Sequence, residues 1–356
     1  MRSKLLAVAK TPLYKLSRAL NYPLLLPLNI TASVTFRCNS RCKTCFIYER
    51  PPDDMTASEW DKIFSSLGKS PFWFTFSGGE PFLRNDLAEI VTSAYRRCGP
   101  GIINIPTNGL LPGRIAETAE RIAAACRNTE IVINLSIDEI NEKHDEIRGV
   151  KGNFQKSLES FSALRKISGK YKNLTLGVHT VISKYNAENF RNVHDFILKN
   201  FEPDSYVAEI AEKRNELLTM DKDISPGADA FTDAVDFMVK GARPPVAALP
   251  GLPRVAAPGV GRTAAAFRKQ YYGFIKKYVR ENRQVIPCYA GFASAHIAPN
   301  GDVWMCCIGA EPVANLRELD YNFRAAWKTK KASAARGRII NAECSCPLAN
   351  AYYTNM

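Results

Sequence analysis

Residues 33–45, SVTFRCNSRCKTC, run from a β-rich segment directly into three cysteines, Cys38, Cys42 and Cys45, set within eight residues. A tetrahedral zinc site or a closed iron–sulfur site takes four protein ligands. Three thiols therefore suggest a metal centre with one position left open. The stretch sets two expectations, a strand that stops at a loop and ligands carried by that loop.

The same arrangement repeats along the first 210 residues. Further β-rich runs fall at 72–76, 102–105, 131–136, 174–182 and 205–210, with helical segments between them. Thr56-Ala-Ser-Glu59 reads as a capping box, and Asn85, Asn153 and Asn186 suit the N-cap position. Six strand–helix repeats predict an α/β fold on a parallel sheet, either doubly wound or curled toward a barrel. In both, the site lies at the carboxyl ends of the strands. Gly78-Gly79-Glu80-Pro81 follows the second strand, Thr107-Asn108-Gly109 the third, and Ser136-Ile-Asp138 ends the fourth. Adjacent glycines let a ligand approach the backbone, and Glu80 can accept hydrogen bonds from an ammonium group. Taken singly, Gly-Gly-Glu-Pro is also a turn and helix start, and Asn-Gly is also a turn.

A chain of 356 residues exceeds the size at which one core keeps growing, so two domains are expected. Hydrophobic residues at 46% and charged residues at 23% describe a globular protein. No apolar run reaches membrane-spanning length, and the best patch, 22–30, carries two prolines. Neither a span nor a signal peptide is read, and the expected location is cytoplasmic. Ten cysteines, most of them in two tight groups, suit metal ligation in a reducing compartment better than a disulfide framework. Cys98 and Cys126 stand apart on predicted helices and read as buried, inert thiols.

The net charge is +13, and Arg2, Lys4, Lys10, Lys15, Arg18, Arg37, Arg41 and Lys43 all precede the first acid, Glu49. Such a bias points to an anionic partner. Residues 2–20 place Leu5, Leu6, Ala9, Leu13, Leu16 and Leu20 at helical spacing. This segment either lies on an anionic membrane at its inner face or packs on its own domain. No nucleic-acid-binding module accompanies the charge, so nucleic acid is not an expected partner.

Residues 241–261 are rich in Pro and Gly and read as a linker, followed by a basic helix at 262–283 whose Phe267, Tyr271, Phe274 and Tyr278 form a core-packing stripe. The second cysteine group comprises Cys288, Cys306-Cys307 and Cys344-Ser-Cys346. Asn300-Gly301-Asp302 supplies a hairpin turn that returns the chain so that Cys306 approaches Cys288. Four thiolates can close around one cluster, or around zinc.

CNSRCKTC after strand one, with Ser77-Gly-Gly-Glu-Pro81 after strand two, resembles the radical S-adenosylmethionine (radical SAM) superfamily. The resemblance implies a partial (βα)6 TIM-like barrel at 31–240 and a small C-terminal α+β auxiliary-cluster domain at 285–356. A basic segment at 1–30 would precede the core, and a linker with a helix at 241–284 would join the two. It implies a [4Fe–4S] cluster on Cys38, Cys42 and Cys45 whose fourth iron is chelated by S-adenosylmethionine. Gly78, Gly79, Glu80 and Pro81 would then serve the methionine amino group, Ser136 and Asp138 the ribose or carboxylate, and Arg148 the carboxylate. Asn108 joins this set from the third strand end. Family members commonly carry an aromatic residue where this chain has Thr44, so adenine contacts pass to Phe46, Tyr48 or backbone.

The second cysteine group, with Ala314-Asn-Leu-Arg-Glu318, is similar to SPASM and twitch extensions. It implies one auxiliary [4Fe–4S] cluster on Cys288, Cys306, Cys344 and Cys346, with Cys307 as the alternative to Cys306. The later cysteine series of a full SPASM domain is missing, and Asn350 stands where a further cysteine is expected. The implied chemistry is reductive cleavage of S-adenosylmethionine and hydrogen abstraction from a peptide, sugar-like or lipid-linked substrate, fed by an external low-potential electron donor. No catalytic acid or base is assigned, and His179 reads as a satisfied core histidine. A non-catalytic iron–sulfur electron carrier or scaffold is the alternative, and it leaves Gly-Gly-Glu-Pro without a purpose.

Overall fold

A computed structural model describes the backbone of residues 9–241, 260–347 and 355, and the side chains of all of these except 239–268. The first eight residues, the 242–259 linker stretch and Asn350 lie outside the described residues, as does the side chain of Phe267. One sheet organises the rest. Strands β1 (Asn29–Thr35), β2 (Trp73–Gly78), β3 (Ile102–Thr107), β4 (Glu130–Ser136), β5 (Leu174–Ile182) and β6 (Ser205–Ile210) are parallel and lie in sequential order. An order without reversal has no topological switch point, which removes the doubly wound alternative and favours the barrel-like one. The sheet is unclosed, since β6 pairs with β5 and β1 pairs elsewhere.

Register explains the core. Ile30 pairs with Phe74, Phe74 with Ile103, Ile103 with Ile131 and Ile131 with Leu174. This makes one buried apolar row across five strands. Helix α1 (Thr11–Ala19) precedes the sheet; α2 (Ala57–Leu67), α3 (Leu87–Cys98), α4 (Pro112–Ala125), α5 (Asn141–Arg148), α6 (Asn153–Ser168) and α7 (Phe190–Asn200) connect its strands. Helix α2 buries Trp60, Ile63, Phe64 and Leu67, the i, i+3, i+4, i+7 stripe of an amphipathic helix. Its capping box is formed as expected: Glu59 N–H donates to Thr56 Oγ1 at 3.3 Å, and Thr56 N–H donates to Glu59 Oε2 at 2.7 Å.

The three asparagines expected as N-caps do other work. The N-caps are Asp86, Gly152 and Asn189. Asn85 instead accepts from Arg114, Asn153 donates to the Asn108 carbonyl at 2.9 Å, and Asn186 donates to the Asp138 carbonyl at 2.6 Å. Helices α8 (Ala228–Gly241) and α9 (Val260–Glu281) follow β6; of the expected aromatic stripe Tyr271 is buried and Phe274 packs against the core, beside Tyr272 and Ile275. Cys98 and Cys126 are buried as expected.

The C-terminal hairpin forms where Asn300-Gly301-Asp302 placed it, between β7 (Ser294–Ile297) and β8 (Asp302–Trp304), and β9 (Pro312–Asn315) extends it. Strand β7 pairs in parallel with β1, from Asn29↔Ser294 to Ala32↔Ile297. One nine-stranded sheet results, in the order β6-β5-β4-β3-β2-β1-β7-β8-β9. The apolar core is likewise continuous from β1 into β7, β8, α10 (Phe323–Ala326) and α11 (Lys330–Ile340).

Candidate functional site

A cavity opens at the carboxyl ends of the parallel strands. Its lining includes Cys38, Cys42, Thr44 and Cys45 after β1, Ser77, Gly78, Gly79 and Glu80 at the end of β2, and Thr107 and Asn108 at the end of β3. Ser136 from β4 and Arg148 from α5 complete the near wall. Loops far apart in sequence, from Cys38 to Arg148, meet here because parallel strands place every carboxyl end on one rim.

The glycines serve the chain's own approach. A Cβ on Gly78, at φ +118°, would lie 2.1 Å from the Thr35 carbonyl oxygen, and one on Gly79 2.2 Å from that of Arg37. That closeness lets Gly79 N–H donate to Thr35 O at 2.7 Å and Glu80 N–H to Arg37 O at 2.9 Å, fixing the loop against the cysteine segment. The side of each glycine where a Cβ would stand is thus taken by backbone, while both glycines still line the cavity.

Glu80 is buried and already engaged. It accepts from Asn108 N–H at 2.7 Å, Thr107 Oγ1 at 2.9 Å and Phe82 N–H at 3.2 Å. Burial pushes its carboxyl up to about 7 against these hydrogen bonds. Its first role is to clamp the β2 and β3 loops together, with one of roughly four lone-pair positions left over. Asn108 continues the clamp, its Nδ2 donating to Asn39 Oδ1 at 2.7 Å and Ser40 Oγ at 3.1 Å. The cysteine loop is held on its other side by α5, through Arg41 N–H to Arg148 O at 3.0 Å and Lys43 N–H to Ile147 O at 2.8 Å. Burial raises the thiols, Cys38 to about 11 and Cys45 to about 12, so ligation of a cation is what would make them thiolates here.

Arg148 lines the cavity, donates Nη1 to Asp138 Oδ2 at 3.0 Å, and keeps a buried Nε without a hydrogen-bond partner. Asp138 is absent from the lining. It is buried, accepts Val181 N–H at 2.9 Å and anchors Arg148, so it orients the guanidinium. Phe46 and Tyr48 are also absent from the lining, which takes Thr44 and Ile47 instead. Their rings meet cations, Lys222 at 5.2 Å from Phe46 and Arg41 at 4.4 Å from Tyr48.

The opposite wall, Glu209, Glu212 and Arg214 at the end of β6, was missed in the sequence. The strand-end rule that picked out the other loops would have found this one. Arg214 Nε and Glu212 Oε1 form an ion pair at 3.7 Å, too long for a hydrogen bond, and both atoms are buried without a hydrogen-bond partner. Burial raises Glu212 to about 8, opposed by Arg214 and reinforced by Glu209 and Glu216. His179 lies outside the lining, 3.7 Å from Glu209.

In the second cysteine group, Cys306 has Cys288 and Cys344 as electrostatic neighbours, whereas Cys307 turns to Glu216 and Arg214. The two adjacent cysteines thus differ in their charged neighbours. Among the described residues no three His, Cys, Asp or Glu side chains close around a single-ion site.

Residues 32–197 match the family model described as "Radical SAM superfamily". The chain carries a radical SAM domain. The match holds the cysteine loop, Gly-Gly-Glu-Pro and Arg148 in one unit. Among curated relatives it is similar to Fe-coproporphyrin III synthase of Methanosarcina barkeri, 26% identical over 170 residues, covering 46% of this chain and 39% of the relative. It is also similar to PqqA peptide cyclase of Bradyrhizobium diazoefficiens, 26% identical over 191 residues, covering 52% of this chain and 46% of the relative. The matched segment thus spans less than half the length of these curated relatives. Streptococcus suis SuiB bound to precursor peptide SuiA shares the fold, with a TM-score of 0.59 at 15% identity over 92% of this chain and 70% of that one. Radical SAM domains imply a [4Fe–4S] cluster and S-adenosylmethionine. The residues present fit them, because three thiols share the cavity with a guanidinium Nε that lacks a partner.

Proposed function

We propose that this protein is a radical SAM enzyme whose cluster is held by Cys38, Cys42 and Cys45. The observation that carries the reading is the meeting of those three thiols, the Gly-Gly-Glu-Pro loop and the Arg148 Nε in one cavity. When bound, the cluster and S-adenosylmethionine supply reductive cleavage of the sulfonium carbon–sulfur bond and a 5′-deoxyadenosyl radical that takes hydrogen from substrate. The chain's own residues orient and enclose. Arg148, steered by Asp138, offers Nε to the methionine carboxylate, and the fixed Gly78–Pro81 loop presents backbone to the amino group. Ser136 serves the ribose, while Glu80 and Asn108 hold the loops in register. Adenine contacts remain with Phe46, Tyr48 or backbone, next to Thr44 and Ile47 of the lining.

The Glu209, Glu212 and Arg214 wall faces the substrate side, which favours a substrate that brings a polar or charged group to it. The same reading includes a peptide, sugar-like or lipid-linked substrate and an external low-potential donor. It also includes one auxiliary [4Fe–4S] cluster that Cys288, Cys306, Cys344 and Cys346 would hold and that would supply either an electron acceptor or a substrate ligand. The neighbourhood of Cys306, Cys288 and Cys344 supports that ligand set. The core would span 31–240, with the auxiliary unit at 285–356 and the segments at 1–30 and 241–284 flanking it.

The test is 5′-deoxyadenosine formation by anaerobically reconstituted protein with S-adenosylmethionine and a strong reductant, comparing wild type with the triple Cys38/Cys42/Cys45→Ala variant. Product from wild type alone is expected. Equal product from the variant would remove the cluster assignment. No product from wild type with both clusters loaded, even with candidate substrates present, would favour an electron carrier.

A further inference from the structure

We infer that the outward leucine face of α1 docks this protein on an anionic lipid bilayer. An amphipathic helix on a globular domain normally buries its apolar stripe. Here the opposite happens: α1 packs through Tyr14 and Ser17, which are 4% and 1% exposed, while Leu13, Leu16 and Leu20 are 43%, 46% and 58% exposed. The packing face is held by polar contacts, Tyr14 Oη donating to Leu26 O at 2.8 Å and Leu24 N–H donating to Ser17 Oγ at 3.2 Å. The leucines are therefore left about half exposed beside a packing face that polar contacts hold.

They sit at i, i+3 and i+7, and Tyr22 and Leu24, next along the chain, are exposed as well. Five of the eight large hydrophobic residues exposed among the described residues fall between positions 13 and 24. Large apolar residues exposed together in one short stretch mark an interaction surface more often than residues scattered singly do.

Charge selects the occupant. No acid precedes Glu49, and Lys10 and Lys15 flank the leucines on the helix. A basic helix with an outward leucine face matches the headgroup and acyl boundary of an anionic bilayer. A second copy would bring like charge against like. Arg18, from the same helix, donates to the Cys288 carbonyl at 3.0 Å, which places the docking face beside the second cysteine group. The inference is independent of catalysis, because binding is read without turnover.

The experiment is flotation of the full-length, cluster-loaded protein with phosphatidylcholine vesicles, pure or containing about 30% phosphatidylglycerol. Wild type is expected on the anionic vesicles alone. Leu13→Ser/Leu16→Ser/Leu20→Ser and Lys10→Glu/Lys15→Glu should each lower retention about tenfold. Leu20→Ser alone, at the most exposed site, should lower it measurably should the triple variant fold poorly. Absence of wild-type retention overturns the inference, as does retention that the serine changes leave intact. Self-association lost in the serine variant, or binding of polyglutamate without binding of vesicles, assigns the face to a second copy or to an acidic peptide and equally overturns it.

Discussion

At the scale of single residues, the site is built by close approach before it is built by ligands. Gly79 has no space for a Cβ, because the Arg37 carbonyl oxygen would lie 2.2 Å from it. Gly79→Ala should therefore force the β2 loop off the cysteine segment, at a cost of about 1–3 kcal/mol. A thermal melt together with the iron content of the purified protein checks this, and unchanged values in both would show that the loop tolerates displacement. The paired cysteines make a second contrast. Cys306 neighbours Cys288 and Cys344, while Cys307 is buried against Glu216 and Arg214. Cys306→Ala should then lower bound iron from about eight to about four atoms per chain, and Cys307→Ala should leave it near eight. The reverse pattern would exchange their roles. The cysteines themselves were legible in the sequence because ligand spacing is local. The task of Glu80 was not, since its partners Thr107 and Asn108 lie 27 and 28 residues away and become neighbours only through strand pairing.

At the scale of elements, the Thr56 capping box does more than start a helix. Glu59 turns its second oxygen to the C-terminal unit, accepting from Arg317 Nε and Tyr321 Oη, both at 2.9 Å. Burial works against its ionisation, but the hydrogen bonds from Thr56, Arg317 and Tyr321 prevail and hold its carboxyl at about 2. A folded pKa below the unfolded value of roughly 4.5 contributes stability that is present above that pH and is lost as pH falls toward 2. With the side chain 17% exposed, a contribution of about 2 kcal/mol remains after solvent screening. Glu59→Gln should thus melt earlier than wild type at pH 6, with the gap closing between pH 5 and pH 2. A gap independent of pH would mean that shape, not charge, carries the contact. The box could be read from four consecutive residues, and so could the Asn300-Gly301-Asp302 hairpin. The N-caps at Asn85, Asn153 and Asn186 could not, because long-range partners claimed those amides: Asn153 and Asn186 support the loops after β3 and β4, and Asn85 meets Arg114.

At the scale of the molecule, the decisive feature is that β7 completes β1. The composition change after β6 reads as a boundary between two units, and strand order across it is beyond any local pattern. Pairing joins the two sides: β1 bonds to β2 on one edge and to β7 on the other, and Trp327 Nε1 donates to Leu25 O at 3.0 Å across the same seam. The segment after β6 adds a second tie. Asn215 N–H donates to Ile308 O at 3.0 Å, and Phe46 N–H donates to Leu217 O at 3.0 Å, so one stretch touches both cysteine loops. A chain ending at residue 284 would leave β1 as an open edge and strip cover from core residues of the first unit, a recipe for edge pairing between molecules. Such a truncation should elute as aggregate in size-exclusion chromatography, and the full chain should melt in one cooperative transition. A monomeric truncation with its own sharp melt would instead establish that the first 284 residues fold alone. The continuous sheet would then be a docking of two finished domains, and the spacing of the two cysteine groups would depend on that docking.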